Sequence, residues 1–203
     1  MIDRYLLPLQ RALLRPPARA LAAAGVGADH VTLSGFVLGL GAVGALWAGA
    51  FTLALVLILA NRVADGLDGA IARERGATDR GAFLDIALDF LFYALVPLGF
   101  ALADSGENAL PAALLIASFV GTGSSFLAFS SLAERRGLKA DNYPAKGIYY
   151  LGGLTEGAET ITAFAAMCLW PAAFPSIALV FAALCTLTTL SRWYQGWVTF
   201  ADT

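Results

Sequence analysis

The sequence contains no charged residue from position 31 to position 60, which strongly limits the folds that it can adopt. A helix of about 30 residues is about 45 Å long, whereas the hydrocarbon core of a bilayer is about 30 Å thick. The run is therefore too long for one membrane crossing and contains parts of two. We expect a turn near Gly49, with one span at 31–48 and the next beginning near residue 52.

The whole chain has the same apolar character. Of its 203 residues, 59% are hydrophobic and 14% are charged, and the mean hydropathy is +0.72. This composition lies outside the range of soluble domains and predicts an integral membrane protein. The net charge of -2 is small and gives no reason to expect nucleic acid as a partner.

Apolar runs separated by short polar loops predict an all-α membrane protein, with a single domain over residues 1–203. Polar loops are expected at 104–108 and 137–146, and a proline turn at 171–175. The six predicted transmembrane helices form a bundle over 31–200 and cover residues 31–48, 52–72, 81–103, 110–133, 147–169 and 176–200.

The first 25 residues are expected to lie on the membrane surface. Arg4, Arg11 and Arg15 fall within about 40° of one another on a helical projection, and leucines occupy the opposite side. This pattern predicts an interfacial amphipathic helix over residues 1–25, lying on anionic lipid. Pro8 is unfavourable inside a helix, so a frayed basic arm is the alternative.

Basic residues are concentrated in alternate loops, which predicts the orientation of the chain. Cytoplasmic loops of membrane proteins are enriched in Lys and Arg. The N-terminal segment and the second and fourth loops therefore face the cytoplasm, and the protein is expected in the cytoplasmic membrane. The residues concerned are Arg4, Arg11, Arg15, Arg19, Arg73, Arg75, Arg80, Arg135, Arg136, Lys139 and Lys146.

Four aspartates lie near the cytoplasmic ends of spans two and three. Asp65 and Asp68 are three residues apart and Asp85 and Asp89 are four apart, so each pair projects from one helical face. The short connecting loop predicts antiparallel neighbouring helices, with the four carboxylates at a similar depth. Such a cluster needs a positive counter-charge in a low dielectric. Oxygen ligands favour a pair of Mg²⁺ or Mn²⁺ ions over Zn²⁺.

Small residues accompany these acids. Gly69 and Ala72 share the face of the first aspartate pair, and Gly81 shares the face of the second. They leave room for a ligand, although close helix packing is the alternative explanation. Arg73, one turn further on, is placed to meet a phosphate. Asn61 and Arg62, before the motif, could hydrogen-bond either a nucleotide or one of the acids.

The pattern Asp65-x2-Asp68-Gly69-x2-Ala72-Arg73, followed by Gly81-x3-Asp85-x3-Asp89, resembles the signature of the CDP-alcohol phosphotransferase (CDP-alcohol phosphatidyltransferase) family. Members are integral membrane enzymes of phospholipid synthesis, and the predicted architecture resembles theirs over nearly the whole chain. Every signature residue is present. The segment between the arginine and the second glycine is one residue shorter than in many relatives.

The resemblance implies transfer of a substituted phosphoryl group from a CDP-alcohol donor to an acceptor hydroxyl, with release of CMP. The donor class includes CDP-diacylglycerol and CDP-amino alcohols, and a homodimer in the lipid bilayer is expected. The resemblance also implies that Asp89 is the general base for the acceptor. It implies that metal is bound by Asp65, Asp68, Asp85 and Asp89, and that Gly69, Ala72, Arg73 and Gly81 line the nucleotide pocket beside Asp68.

Span five contains candidates for an acceptor site. Glu156 and Glu159 are three residues apart, and a helix over 147–169 would put them on one face near the middle of the membrane. Structural pairing with Arg62 or Arg192 is the alternative. Lys146, at the cytoplasmic mouth, could hold an acceptor phosphate, although the orientation bias of basic residues also explains it.

Intramembrane carboxylates also mark ion pathways. An intramembrane divalent-cation transporter or binding protein is therefore the alternative function. A transporter needs a polar route to the far side of the membrane. The deepest aspartates lie only about 12 Å from the loop, and the outer halves of spans two and three are apolar.

Overall fold

The computed structural model describes residues 3–138 and 153–201, with side chains from residue 10 onward. These two ranges contain helices and no β-strand, which confirms the predicted all-α class for this part of the chain. The helices are α1 Asp3–Ala23, α2 Ala28–Trp47, α3 Phe51–Arg75, α4 Asp79–Ala103, α5 Ser105–Arg135, α6 Gly157–Leu169 and α7 Phe174–Thr199, and a 3-10 turn at Pro171–Ala173 precedes α7.

The turn between α2 and α3 lies where the uncharged run predicts it. Gly49 has a φ of 71°, in the left-handed region that glycine adopts without a Cβ penalty. Its amide donates to the carbonyl of Leu46, and the amide of Ala50 donates to that of Ala45. These bonds satisfy carbonyls at the end of α2, as in other glycine-terminated helices. The run therefore divides into two helices that pack against each other.

Among the described residues, four segments are long and apolar enough to cross a membrane: α2, α4, α5 and the segment 171–199 that contains α7. The chain is thus a multi-pass membrane protein. α3 is as long as α4, at 25 residues, but it carries Arg62, Asp65 and Asp68 within its apolar stretch. α6 has 13 residues, which corresponds to about 20 Å of helix and is shorter than a bilayer core. Six spans therefore stay a prediction.

Two predicted boundaries were wrong. The loop expected at 104–108 is a single residue, because the Asp104 carboxylate caps α5 by accepting from the amides of Gly106 and Glu107 at 3.1 and 3.2 Å. The helix expected from residue 147 to 169 is interrupted within the described residues. Residues 153–156 are not helical, and α6 begins after them.

α2 packs against both α3 and α4, and these two helices pack mainly against α2 rather than against each other. Glycine allows the close approach. A Cβ on Gly35 would lie 2.8 Å from the Ala64 Cβ, and one on Gly39 would lie 2.8 Å from Phe92 Cδ2. The sequence prediction of directly neighbouring α3 and α4 was therefore wrong. α2 forms the floor between them, and a groove is left above it.

Aromatic packing joins the helices at the far end of this groove. The rings of Phe100 in α4 and Phe174 at the start of α7 are stacked with centroids 4.4 Å apart, and Phe51 stacks on the other side of Phe100 at 5.7 Å. Phe100 and Phe174 are fully buried. This packing ties α3, α4 and α7 together at the end away from the acids.

α1 docks on the groove end of α3. A Cβ on Gly66 would lie 2.5 Å from Leu14 Cδ1, so this glycine of the acidic motif permits the contact. Ala18 is buried with Ala70 and Ile71 of α3. The structure thus contains a helix where an N-terminal amphipathic helix is predicted, and its location at a membrane surface stays a prediction.

Candidate active site

The four aspartates line one groove with a volume of about 1410 Å³. Asp65 and Asp68 project from α3, and Asp85 and Asp89 project from α4 on the opposite wall. Asp65 is close enough to the other three for direct charge repulsion. Asp68 is buried with 4% exposure, whereas Asp85 is exposed to the groove. The structure brings together the acids that the helical spacing predicted to converge.

Asp68 is positioned from the floor of the groove. The Thr32 hydroxyl of α2 donates to Asp68 Oδ2 over 2.6 Å, and the same hydroxyl lies 3.1 Å from the Ala28 carbonyl. A hydroxyl has one proton, and the shorter contact with a carboxylate is the stronger. Sequence analysis missed this threonine. Its position in the uncharged run of residues 31–60 gives no chemical signal until α2 is known to lie beneath the acids.

Arg62 lies between the two walls. Its Nη1 atom is 2.5 Å from Asp89 Oδ1 and 3.7 Å from Asp65 Oδ1. Its guanidinium also lies over the rings of Phe92 and Tyr93, at 4.8 and 5.3 Å from their centroids. The sequence alternative that pairs Arg62 with a glutamate of span five is therefore replaced by pairing with two of the aspartates.

Asn61 holds Arg62 in this position. Asn61 Oδ1 accepts from Arg62 Nε at 2.8 Å and from Nη2 at 2.6 Å, and Asn61 Nδ2 donates to the Gly35 carbonyl at 2.8 Å. Both polar atoms of this buried amide thus have partners within the protein. The structure gives Asn61 a positioning role toward Arg62. A contact of Asn61 with the nucleotide stays a prediction.

The aspartates fit divalent metal ions by the chemistry of their donors, because carboxylate oxygens are the ligands that Mg²⁺ and Mn²⁺ prefer. No three His, Cys, Asp or Glu side chains within residues 10–138 and 153–201 are arranged around one point as ligands of an ion. In the observed arrangement the Arg62 guanidinium lies among the carboxylates. The four aspartates therefore have the donor atoms that a divalent ion requires, and Arg62 supplies positive charge in the observed arrangement.

The small residues and the arginine of the motif line the same groove. At Gly69, a Cβ would meet only the flexible side chain of Arg73, at 3.4 Å. At Gly81, a Cβ would lie 3.1 Å from the Thr78 hydroxyl and 3.2 Å from Asp29 Oδ1. Both glycines, together with Ala72, leave the groove wall open to a ligand. Their contact with a nucleotide stays a prediction.

The mouth of the groove is basic. Arg73 lies beyond the predicted end of span two, and partial burial together with the nearby charge of Arg11 lowers its pKa from the ordinary arginine value. Two guanidinium groups that repel each other favour an anion between them. The mouth is thus suited to a phosphate group.

The CDP-alcohol phosphatidyltransferase family matches the chain over residues 26–200. The chain belongs to this family. It is also 51% identical, over 199 residues, to the inner membrane protein YnjF of Escherichia coli strain K12, covering 98% of this chain and 97% of that protein. The resemblance carried by the acidic signature is thereby confirmed, and the protein is a CDP-alcohol phosphotransferase.

Solved structures of one enzyme have the same fold. Phosphatidylinositol phosphate synthase of Mycobacterium tuberculosis with CDP-DAG bound superposes with a TM-score of 0.71 at 24% identity, covering 92% of this chain and 94% of that chain. Its complex with manganese and citrate gives a TM-score of 0.70 at 24% identity, with 91% and 88% covered. At this identity the likeness establishes the membrane fold of the phosphotransferase.

Glu156 and Glu159 of the phosphotransferase do not share a helical face, so that prediction was wrong. Glu156 precedes α6 and caps it: its side chain accepts from the backbone of Glu159, and Glu159 Oε2 accepts from the Glu156 amide at 3.2 Å. Glu156 also accepts from the amide of Gly153 at 3.1 Å and lines the groove. An acceptor role for the two glutamates stays a prediction. Lys146 lies outside the described residues.

Asp29 and Arg80 are among the charged residues of the phosphotransferase that line the groove without belonging to its signature. Asp29, in the first turn of α2, accepts from Arg80 Nη2 at 2.6 Å and from Nε at 2.8 Å. Asp29 lies three residues before Thr32, on the same face of α2. This spacing was a readable signal that sequence analysis left unused, because the contribution of α2 to the site was not foreseen.

Proposed function

We propose that this phosphotransferase carries out its reaction in the groove between α3 and α4. A substituted phosphoryl group would pass from a CDP-alcohol to an acceptor hydroxyl, and CMP would leave. The observation that carries the proposal is the convergence of the four signature carboxylates from opposite walls of one groove with a basic mouth. Membership of the family supports the reaction class.

In this proposal the ligands of a pair of Mg²⁺ or Mn²⁺ ions are Asp65, Asp68, Asp85 and Asp89. When bound, such ions neutralise the diphosphate, polarise the phosphorus and stabilise the departing phosphate. The oxygen donors of the four side chains support this assignment. The manganese complex of the M. tuberculosis enzyme supports divalent metal use within the fold.

The residues of the chain itself divide the remaining tasks. Asp89 would accept the proton of the attacking hydroxyl, and in the observed arrangement its Oδ1 atom accepts from Arg62. Thr32 holds Asp68 from the floor. Arg73, at the basic mouth, would bind the diphosphate as a fork of donors.

The groove suits a lipid as one of the two substrates. Beyond the acids its walls include apolar side chains of α4 and α5, among them Tyr93, Ile116, Phe119 and Val120. Either a CDP-diacylglycerol donor or a diacylglycerol acceptor for a CDP-amino alcohol would bring such a chain. We further propose a homodimer in the cytoplasmic membrane, with the groove mouth facing the cytoplasm as the distribution of basic residues predicts.

The test is CMP release by the purified protein in detergent or liposomes. Mg²⁺ or Mn²⁺ is supplied with CDP-diacylglycerol or CDP-amino alcohols and a panel of acceptor alcohols. Asp85→Asn should lower CMP release at least about 100-fold, because it removes a charged ligand where transition-state charge develops. Asp79→Asn is the matched control, since Asp79 is an exposed acid on the same helix.

The Asp79→Asn variant should keep wild-type turnover, and both variants should remain folded. Robust metal-dependent turnover by Asp85→Asn would overturn the assignment of the acids. Metal flux into liposomes without consumption of any CDP-alcohol would instead favour the transporter alternative.

A further inference from the structure

Arg62 lies inside the active-site groove and carries a positive charge there, although it is not a residue of the signature. Its side chain is 16% exposed, and the Asp65 and Asp89 side chains that it contacts are 38% and 29% exposed. Within this sheltered region a guanidinium needs anions as much as the carboxylates need a cation. The contact with Asp89 uses Oδ1, an oxygen of a proposed metal ligand.

The guanidinium is also held from the side facing away from the acids. Asn61 accepts two of its hydrogen bonds, and Asn61 is in turn fixed to the Gly35 carbonyl. The faces of Phe92 and Tyr93 cover the guanidinium plane. These contacts do not depend on the carboxylates. The protein therefore builds a place for this positive charge beside the acids.

We propose that Arg62 is the counter-charge of the metal-free active site and that divalent ions bind in competition with it. This inference rests on the proposed function, because it takes the aspartates to be the metal ligands. A divalent ion close to Asp89 and Asp65 repels the guanidinium and competes for the same oxygens. Arg62 thus stabilises the four-carboxylate groove before metal arrives and lowers the affinity for the metal.

Linkage gives the inference a measurable form. If the Arg62 contacts weaken metal binding by some factor, metal binding weakens those contacts by the same factor. Removing the guanidinium should tighten metal binding and destabilise the metal-free protein. A purely structural arginine would lower stability equally with and without metal. The two readings differ in the size of the stabilisation that metal produces.

The experiment measures Mn²⁺ binding by electron paramagnetic resonance on purified protein in detergent, without substrate. Arg62→Gln should bind Mn²⁺ about 5- to 100-fold more tightly than wild type, the range of typical coupling between two sites. Its melting temperature should be lower than that of wild type in chelator and should rise more on addition of Mn²⁺. Arg136→Gln is the matched control, because Arg136 also lies over an aromatic ring, that of Phe200, and is not among the groove-lining residues.

Arg62→Lys keeps the inference testable if Arg62→Gln does not fold. Lysine retains the charge but lacks the fork that Asn61 holds, so it should bind Mn²⁺ more tightly than wild type by a smaller factor. Equal or weaker Mn²⁺ binding by the Arg62 variants, beside saturable binding by wild type, would overturn the inference and leave the metal site intact. If wild-type protein shows no saturable Mn²⁺ binding, or if Asp85→Asn does not remove that binding, the proposed function is overturned and the inference with it.

Discussion

The two ends of α3 and α4 are built from the same helices and have opposite properties. At one end, Phe100 is stacked between Phe51 and Phe174 and is fully buried. At the other end, aspartates line an open groove above α2. Aromatic rings fill the space between the helices at the far end, while mutual repulsion keeps carboxylates from filling it at the groove end.

The difference shows how a membrane helix can hold several acids and remain folded. Glycines of α2 bring it close to both α3 and α4, and the aromatic stack joins the helices at the far end. Much of the helix packing of the bundle therefore lies outside the groove. Charged side chains are accepted where neighbouring helices already fix the backbone and where polar partners such as Thr32 and Arg62 are supplied.

Removal of divalent metal should have the largest effect and should act on the groove end alone. Chelation should lower CMP release at least about 100-fold, because metal charge contributes several kcal/mol to such a transition state. Added Mn²⁺ or Mg²⁺ should restore it. Circular dichroism should show the helices intact in chelator. Turnover that persists after exhaustive chelation would contradict the metal assignment.

Phe100→Ala should weaken the helix packing at the far end and leave CMP release per folded molecule unchanged. We expect a loss of about 2 kcal/mol of unfolding free energy from the cavity, less than in a soluble core because lipid is as apolar as the packed interior. Denaturant unfolding in detergent measures it. Phe83→Ala, at a side chain that is 70% exposed, is the control and should be nearly neutral. A large fall in CMP release per folded molecule would show that the two ends are coupled.

Thr32→Val should remove the hydrogen bond that positions Asp68, with little effect on the free energy of unfolding. The hydroxyl donates to Asp68 at 2.6 Å, and losing a hydrogen bond to a charged group should lower the kcat/KM of CMP release about tenfold. Thr162→Val is the control, because the Thr162 hydroxyl is exposed and donates only within its own helix, to the Ala158 carbonyl. Unchanged kcat/KM in Thr32→Val would remove Asp68 positioning from the mechanism.

Glu74→Gln should have the smallest effect and reports on the docking of α1 at the groove end. The hydrogen bond from Arg19, together with a longer one from Arg15, lowers the pKa of the Glu74 carboxyl in the folded state. The stability that ionised Glu74 contributes is therefore fully present above the ordinary glutamate pKa. It is lost as the pH falls through the lower pKa of the folded state. Spin-label distances between α1 and α3 should lengthen with acid in wild type. The same acid dependence in Glu74→Gln would assign it to another group.

Much of the site could be read from residue spacing. Asp65 and Asp68, and Asp85 and Asp89, converge because helical periodicity places each pair on one face wherever the helix is packed. The turn at Gly49 followed from the length of the uncharged run against the thickness of a bilayer. These inferences depend only on local geometry and on the cost of charge in lipid, so they did not require knowledge of the neighbouring helices.

Other features of the site depend on which helices touch. The spacing does not predict that Asn61 holds Arg62 and is itself bonded to the Gly35 carbonyl. The spacing of Glu156 and Glu159 predicts one helical face, yet α6 begins between them, because the two glutamates form a reciprocal cap. Each outcome required a contact or a helix start that spacing does not specify.

The all-α membrane class, the turn at Gly49 and the pairing of acids along each helix can be predicted from the residues, because each follows from bilayer thickness or helical period. The position of α2 beneath both α3 and α4, the bond from Thr32 to Asp68 and the choice of aspartates that Arg62 contacts become known only from the packed helices. The reason is physical. A helix has the same periodicity on every side, and the neighbour that each side meets is decided by packing over the whole bundle.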